Sequence, residues 1–121
     1  MVSEKIQNFL MRYSNVFDRA DKKAAFLVGV LTKFLLDIQL ATRGSTPFRS
    51  KIYSLKLNEN RLRRIFSEAI EKLAEYGVSY QELQSYISEA LIKAENDGWN
   101  LSNDEVSYYF ALGLNLGGLF K

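Results

Sequence analysis

The sequence contains neither cysteine nor histidine. Without cysteine it has no disulfide and no thiolate nucleophile, and without histidine it lacks the side chain that titrates near neutral pH. The common zinc ligand sets also draw on these two residue types. We therefore expect a protein that is not an enzyme and that holds no metal or other cofactor. A chain without cysteine also suits the reducing cytoplasm.

Proline and long apolar runs are scarce as well. Pro47 is the single proline, and the longest uncharged stretch of the most apolar region covers only residues 24–32. A membrane span needs roughly 20 consecutive apolar residues. Glu4, Asn8 and Arg12 fall where a signal peptide would carry its apolar run. The sequence thus predicts no membrane span and no targeting segment, and a cytoplasmic location.

What is present is helical periodicity. At 121 residues the chain suits one domain, residues 1–121, with a core of useful size. Apolar residues recur at helical spacing in five segments, and the second is apolar around most of its circumference. That segment is predicted to be the central helix of an all-α, single-domain bundle. The predicted helices cover residues 3–17, 21–42, 59–76, 79–97 and 102–116.

Local start and stop signals support these helices. Asp18 and Asp21 are possible N-caps of the second helix, and Asn58 is the expected cap of the third. Gly44 and Gly77 are expected to end the second and third helices, with Pro47 preventing the second from resuming. Two serine-x-x-glutamate capping boxes, at residues 79–82 and 102–105, mark the starts of the fourth and fifth.

Two glycines stand four residues apart in the apolar last helix. Gly113 and Gly117 leave room for a neighbouring helix to approach closely. In membranes this spacing marks dimer faces, whereas here we expect packing inside the domain, near Gly29. Trp99 is expected to anchor the turn between helices four and five.

The connection over residues 44–57 is long for a helical domain, and long connections are commonly functional or disordered. Five apolar residues suggest that it is tied down: Phe48, Ile52, Tyr53, Leu55 and Leu57. The alternation of the last three permits a short extended segment, and a weak two-stranded ribbon is an alternative that the sequence leaves open.

Charge is distributed unevenly along the chain. Residues 1–42 carry six basic and four acidic groups, residues 43–64 seven and one, residues 65–105 two and nine, and residues 106–121 one and none. The net charges are therefore +2, +6, −7 and +1. This pattern predicts one cationic and one anionic face, the first suited to a polyanion.

The basic segment leads to a nucleic-acid hypothesis. Arginine matches phosphate geometry, and neutralising phosphates releases counterions in a salt-dependent, sequence-independent way. Cations at a helix N-terminus also oppose the helix dipole, so an anionic ligand would account for those that begin the third helix. The alternative is a solvated surface paired with the acidic later helices. The candidate contacts are Lys33, Arg43, Arg49, Lys51, Tyr53, Lys56, Arg61, Arg63 and Arg64.

Other side chains have a functional and an ordinary interpretation. Tyrosines can stack on bases, as in single-strand binders, but more often they pack with the hydroxyl at the rim. Carboxylates on helices three to five could bind a divalent metal or act in acid–base chemistry, but their spacing better fits a solvated face. The tyrosines are Tyr53, Tyr80, Tyr108 and Tyr109, and the carboxylates Glu68, Glu71, Glu75, Glu89 and Asp104.

Several stretches together resemble a known family, the helical C-terminal region of the large subunit of type I-B CRISPR Cascade complexes, which also occurs as a separate small subunit. The similarity covers residues 22–117 and rests on order and spacing. The stretches are Phe26-Leu27-Val28-Gly29-Val30-Leu31, Gly44-x-x-Pro47-Phe48, Leu55-Lys56-Leu57-Asn58 leading into Arg61-Leu62-x-Arg64-Ile65-Phe66, and Ser107-Tyr108-Tyr109-Phe110-Ala111-Leu112-Gly113-Leu114-Asn115.

The resemblance implies a non-catalytic RNA-binding and DNA-binding subunit in antiviral defence. Subunits of this kind stack in several copies beside the large subunit and the guide-RNA backbone subunits, and help to hold the guide RNA–target DNA duplex and the displaced strand. In such complexes base pairing reads the sequence while protein holds backbones in a positive channel. The family has no tight functional motif, so the candidate residues above come from charge alone.

Two other functions fit a basic helical domain. One is a DNA-binding regulator of the helix-turn-helix type, although residues 44–57 form a much longer connection than the three or four residues of that motif. The other is a protein-interaction module without nucleic acid, whose basic and acidic segments join neighbouring copies.

Overall fold

The computed structural model describes residues 2–45, 47–49 and 57–121. These residues form helices and no strand, so the predicted all-α bundle is confirmed. A short 3₁₀ helix, Gly117–Phe120, follows the last α-helix. Five α-helices of more than one turn lie within these described ranges: α1 (Val2–Arg12), α2 (Ala20–Arg43), α3 (Glu59–Glu75), α4 (Gln81–Asp97) and α5 (Asn103–Leu116).

Helix α2 is the centre of the bundle, as predicted. Phe26, Leu31 and Phe34 have no exposed surface because other helices cover α2 on several sides. By length and composition alone α2 could cross a membrane, but 72% of its most apolar 18 residues are buried inside the protein. That burial is the property of a core helix.

Helices α2 and α5 run parallel and touch backbone to backbone. Gly29 lies against Gly113, and one turn further along both helices Gly117 lies against the side chain of Lys33. Small residues at the crossing allow this approach because any side chain would hold the backbones apart. The predicted glycine contact within the domain is confirmed.

Helix α3 also runs parallel to α2. At its beginning Arg63 contacts the Leu91 carbonyl in the second half of α4, and at its end Tyr76 lies against Arg43 at the end of α2. The chain must therefore return along the bundle between the end of α2 and the start of α3. This topology requires a long connection, whatever function the connection has.

Most of the local end signals work as predicted. The Asn58 side chain accepts a hydrogen bond from the Arg61 N–H at 2.9 Å, and Ser102 forms a complete capping box with Glu105. Gly44 and Gly77 adopt φ values of 70° and 71°, which a residue with a side chain rarely adopts. These helix ends are therefore set by their own sequence.

Two predicted N-termini are wrong. Helix α4 begins at Gln81 and its N-terminal residue Tyr80 makes no side-chain cap. The expected box between Ser79 and Glu82 does not form: the Glu82 carboxylate accepts from the Ser3 hydroxyl at 2.6 Å, and the Tyr80 N–H donates to the Gln84 side chain at 3.0 Å. Helix α2 begins after Arg19, which makes no side-chain cap. Asp21 lies inside the first turn and is only 1% exposed.

Asp21 is buried because three groups satisfy its carboxylate. Arg19 donates to it at 2.9 and 3.1 Å, and the N–H groups of Lys22 and Asn100 donate at 2.9 and 3.0 Å. Burial alone would raise the pKa of Asp21, but these hydrogen bonds outweigh it and the pKa lies below its usual value. The carboxylate fastens the turn between α4 and α5 to the start of α2.

Helix α1 is shorter than predicted. It ends at Arg12, and the chain turns through Ser14 and Asn15, residue types that compete with helix by hydrogen-bonding to the backbone. Phe17 still reaches the core at 2% exposure, while Tyr13 and Val16 are 41% and 37% exposed.

The start of the long connection folds back on α2. Residues 47–49 are helical, so the expectation that Pro47 prevents helix from resuming is wrong; proline fits a first helical turn. Phe48 is 4% exposed and its N–H donates to the Gln39 side chain at 3.2 Å. Phe48 and Leu57 are buried as expected. Ile52, Tyr53 and Leu55, with the predicted extended piece, lie outside the described residues.

Candidate nucleic-acid interface

The beginning of α3 presents two of the predicted cations to solvent. Because Asn58 caps the helix, the first turn is held and Arg61 and Arg64 emerge on one flank beside the buried stripe that contains Leu62 and Ile65. Arg64 is exposed and Arg61 half-buried. Within residues 57–121 and the other described ranges, neither forms an ion pair with a carboxylate. Both are therefore available to an anion.

Arg63, on the other flank, is engaged inside the protein. Its guanidinium lies 3.2 Å from Glu59 and 3.7 Å from Glu95, and it donates to the Leu91 carbonyl at 3.5 Å. These contacts join α3 to α4. Arg63 therefore fits the alternative interpretation of the basic segment, in which its cations pair with the acidic later helices.

Arg43 lies at the far end of α3, and Arg49 follows Phe48, whose N–H donates to Gln39 one turn before Arg43. The Arg43 guanidinium is over the Tyr76 ring, 5.8 Å from its centroid, and both arginines are exposed. Helix α3 has 17 residues, which at 1.5 Å per residue is about 25 Å. The structure therefore divides the described part of the basic segment into two groups, one at each end of α3.

Lys33 belongs to a third location, beside the C-terminus. It and Lys121 share the Asp37 carboxylate, with nitrogen–oxygen distances of 2.9 and 2.8 Å. Burial works to raise the pKa of Asp37, but the hydrogen bonds from Lys121 and Lys33 lower it below its usual value. Lys33 is thus paired with Asp37 beside Lys121, away from the other candidate nucleic-acid contacts. Lys51, Tyr53 and Lys56 lie outside the described residues.

The remaining tyrosine candidates differ in exposure. Tyr80 packs on the buried Phe34 ring at a centroid distance of 4.9 Å, which is the ordinary interpretation. Tyr108 is 60% exposed and meets Tyr109 edge to face at 5.1 Å. Trp99 is half-buried against the core at the turn between α4 and α5, where it was expected to serve as an anchor. Among the described aromatic side chains, Tyr108 is the most open to a stacking partner.

The carboxylates do not converge. No group of three acidic side chains in the described ranges is arranged to hold a metal ion. Glu59 and Glu95 contact Arg63, and Glu75 contacts Lys72 at 3.5 Å, so these acids serve helix-to-helix and within-helix pairing.

Two cations outside the basic segment were not singled out from the sequence. Lys5 and Arg12 both line a groove between α1 and the C-terminal 3₁₀ helix. Their spacing of seven residues on one helix was the available signal, because residues seven apart lie on the same face. Net charge by segment could not show it, since residues 1–42 are only weakly basic.

Comparison with known families gives a match over the whole chain. Residues 1–121 match the family described as CRISPR-associated protein TM1802 (cas_TM1802) C-terminal domain. No curated protein and no solved structure matches the chain. The family agrees with the CRISPR resemblance carried by the apolar run of α2 and by the start of α3. The chain therefore belongs to the CRISPR-associated TM1802 C-terminal domain family.

Proposed function

We propose that this domain is a non-catalytic subunit of a type I-B CRISPR Cascade complex, acting in the cytoplasm in antiviral defence. It holds the backbone of the guide RNA–target DNA duplex, of the displaced strand, or of both. Its neighbours are the large subunit, the backbone subunits and further copies of itself. The observation that carries the proposal is the family match over residues 1–121.

The cations at the start of α3 support this role physically. Arg61 and Arg64 have no carboxylate partner among the described residues, although Glu59 lies in the same turn and prefers Arg63. Exposed guanidinium groups bind phosphates without reading bases, which suits a complex in which the guide RNA supplies specificity. Arg43, 5.8 Å from the Tyr76 ring centroid at the other end of α3, gives a backbone a second contact about 20 Å away.

The salt dependence of binding tests this role. For Arg64→Ala we expect the slope of log affinity against log salt to fall in magnitude by about 0.7–0.9, the value of one lost phosphate contact. Lys72→Ala is the matched control, because it removes one positive charge from the same helix but from a side chain paired with Glu75 at 3.5 Å. The control should leave the slope unchanged.

Assembly provides the second measurement. The tagged chain should co-purify with partner subunits that carry guide RNA, and ribonuclease treatment or Arg61→Glu with Arg64→Glu should weaken retention. Equal slopes for the two alanine variants, together with no co-purification, would reject the proposal. Strong enrichment of one duplex sequence in a random-sequence selection would favour a regulator.

A further inference from the structure

A groove of about 430 Å³ lies between α1 and the C-terminal 3₁₀ helix, on a surface separate from the candidate interface. It combines an apolar interior with positive charge at the edge. Phe9 and Phe120 form the floor, Tyr13 and Leu119 the walls, and Lys5 and Arg12 the rim.

The floor packs against the core and the walls are exposed. Phe9 stacks on Phe26 at a centroid distance of 5.5 Å and meets Phe120 edge-on at 5.3 Å, and Phe120 is only 3% exposed. By contrast Leu119 is 65% exposed and Tyr13 41%. Two large apolar side chains thus face water across a preformed apolar floor, an arrangement suited to receiving an apolar side chain from a partner.

Neither rim cation contacts an aspartate or glutamate side chain in the described part of the chain. Lys5 Nζ donates to the main-chain oxygen of Lys121 at 3.1 Å, which holds the ammonium at the edge of the groove. Neither Lys5 nor Arg12 forms an ion pair with a carboxylate of the described residues, whereas Lys22, Lys33 and Arg63 all do. Seven residues separate the two rim cations, which is about 10.5 Å along the helix. A matching ligand carries two negative charges at that spacing.

The aromatic rings favour a peptide over a nucleobase. A base needs an open ring face for stacking, but the Arg12 guanidinium lies over the Tyr13 ring, 5.8 Å from its centroid, and Phe9 packs on the same ring at 4.8 Å. Phe9 itself is stacked on Phe26. The open apolar surface is therefore the aliphatic Leu119, which packs well against an aliphatic side chain.

We propose that this groove binds an acidic segment of a partner protein. One apolar side chain of the segment packs between Leu119 and Phe120, and two carboxylates pair with Lys5 and Arg12. In a helical segment the carboxylates are seven residues apart and the apolar residue lies three or four residues after the first. The proposal does not depend on nucleic-acid binding by the arginines of α3.

A defined peptide tests the proposal with the full chain. The probe is a fluorescent helical peptide with two glutamates seven apart and a leucine between them; one control peptide has the leucine replaced by alanine, and another has the glutamates four apart. In anisotropy titrations the probe should bind saturably and each control at least about fivefold more weakly. Lys5→Glu or Arg12→Glu should weaken probe binding at least about tenfold, because like charges then face each other. Circular dichroism checks that each variant is folded.

Arg64→Glu is the matched charge control, since it makes the same change in net charge on α3, away from the groove. It should alter peptide affinity by less than about twofold. The proposal fails if the probe does not bind, if all three peptides bind equally, or if Arg64→Glu acts like Arg12→Glu. It also fails if a single-stranded oligonucleotide, and not the peptide, loses affinity on Arg12→Glu, which would make the groove a nucleic-acid site. Self-association abolished by Arg12→Glu without peptide binding would point instead to a second copy of the chain.

Discussion

The contact between α2 and α5 makes Gly113→Ala the most demanding test of this fold. A Cβ atom at position 113 would overlap the Phe26 carbonyl oxygen and lie 2.9 Å from the Val30 nitrogen and 3.0 Å from the Gly29 Cα. All of these are backbone atoms of the central helix. A side-chain rotation cannot relieve the overlap, so α2 and α5 must move apart.

The expected cost follows from two opposing terms. Overpacking of a core costs about 1–3 kcal/mol and occasionally more, and a clash with backbone belongs at the upper end. Alanine recovers up to about 1 kcal/mol of helix propensity relative to glycine. We therefore expect Gly113→Ala to lower the free energy of unfolding by about 2 kcal/mol. For a domain of this size that is a fall in Tm of roughly 6–10 °C.

Urea denaturation and thermal melting followed by circular dichroism measure the effect. Gly118→Ala is the control, because a Cβ there meets nothing within 4 Å and the position has no positive φ. The control should lie within about 0.5 kcal/mol of the parent chain. If the two variants prove equally stable, α2 and α5 do not cross at these glycines and the described packing is wrong.

Three further predictions concern polar contacts. Asp21→Asn should lower the free energy of unfolding at pH 7 by about 2 kcal/mol in urea denaturation, because it replaces a buried carboxylate whose hydrogen bonds are satisfied. The pKa of Asp21 is lower in the folded than in the unfolded chain, so the stability advantage of the parent chain should shrink as the pH falls below about 4. A stability difference that is constant from pH 7 to pH 3 would contradict this. Ser102→Ala should cost about 1 kcal/mol in the same assay through loss of the capping box, whereas Ser79→Ala should cost less than about 0.5 kcal/mol because that box does not form; the reverse order would contradict the two helix starts. Arg63→Ala should lower the free energy of unfolding by roughly 0.5–1 kcal/mol, and an unchanged value would mean that its contacts to α4 contribute nothing.

Helix identity was predictable because its causes are local. The period of apolar residues identifies all five helices, and the end signals at Gly44, Asn58, Gly77 and Ser102 act through hydrogen bonds and backbone angles within a few residues. The box expected at Ser79 does not form, and its Glu82 carboxylate instead accepts from the Ser3 hydroxyl on α1 at 2.6 Å. Sequence pattern alone does not show a contact between residues 79 positions apart.

The candidate interface was only partly predictable. The sequence identifies which residues are basic, and therefore the arginines at the start of α3. It does not show that Arg63 is paired with Glu95, 32 positions later, while Arg64 is exposed. Nor does it show that Arg43 lies at the opposite end of α3 from Arg61.

The sequence by itself determined the class of fold, the central helix and most helix ends, since each depends on residues that are neighbours in the chain. Only the tertiary structure decided that α3 runs parallel to α2 and that Lys5 and Arg12 border a groove. It also decided that Asp21 is not a helix cap but a buried carboxylate that accepts a hydrogen bond from the turn between α4 and α5. These features depend on which residues distant in sequence meet. Which distant residues meet is set by how the helices pack around one core, and a local sequence pattern does not predict that packing.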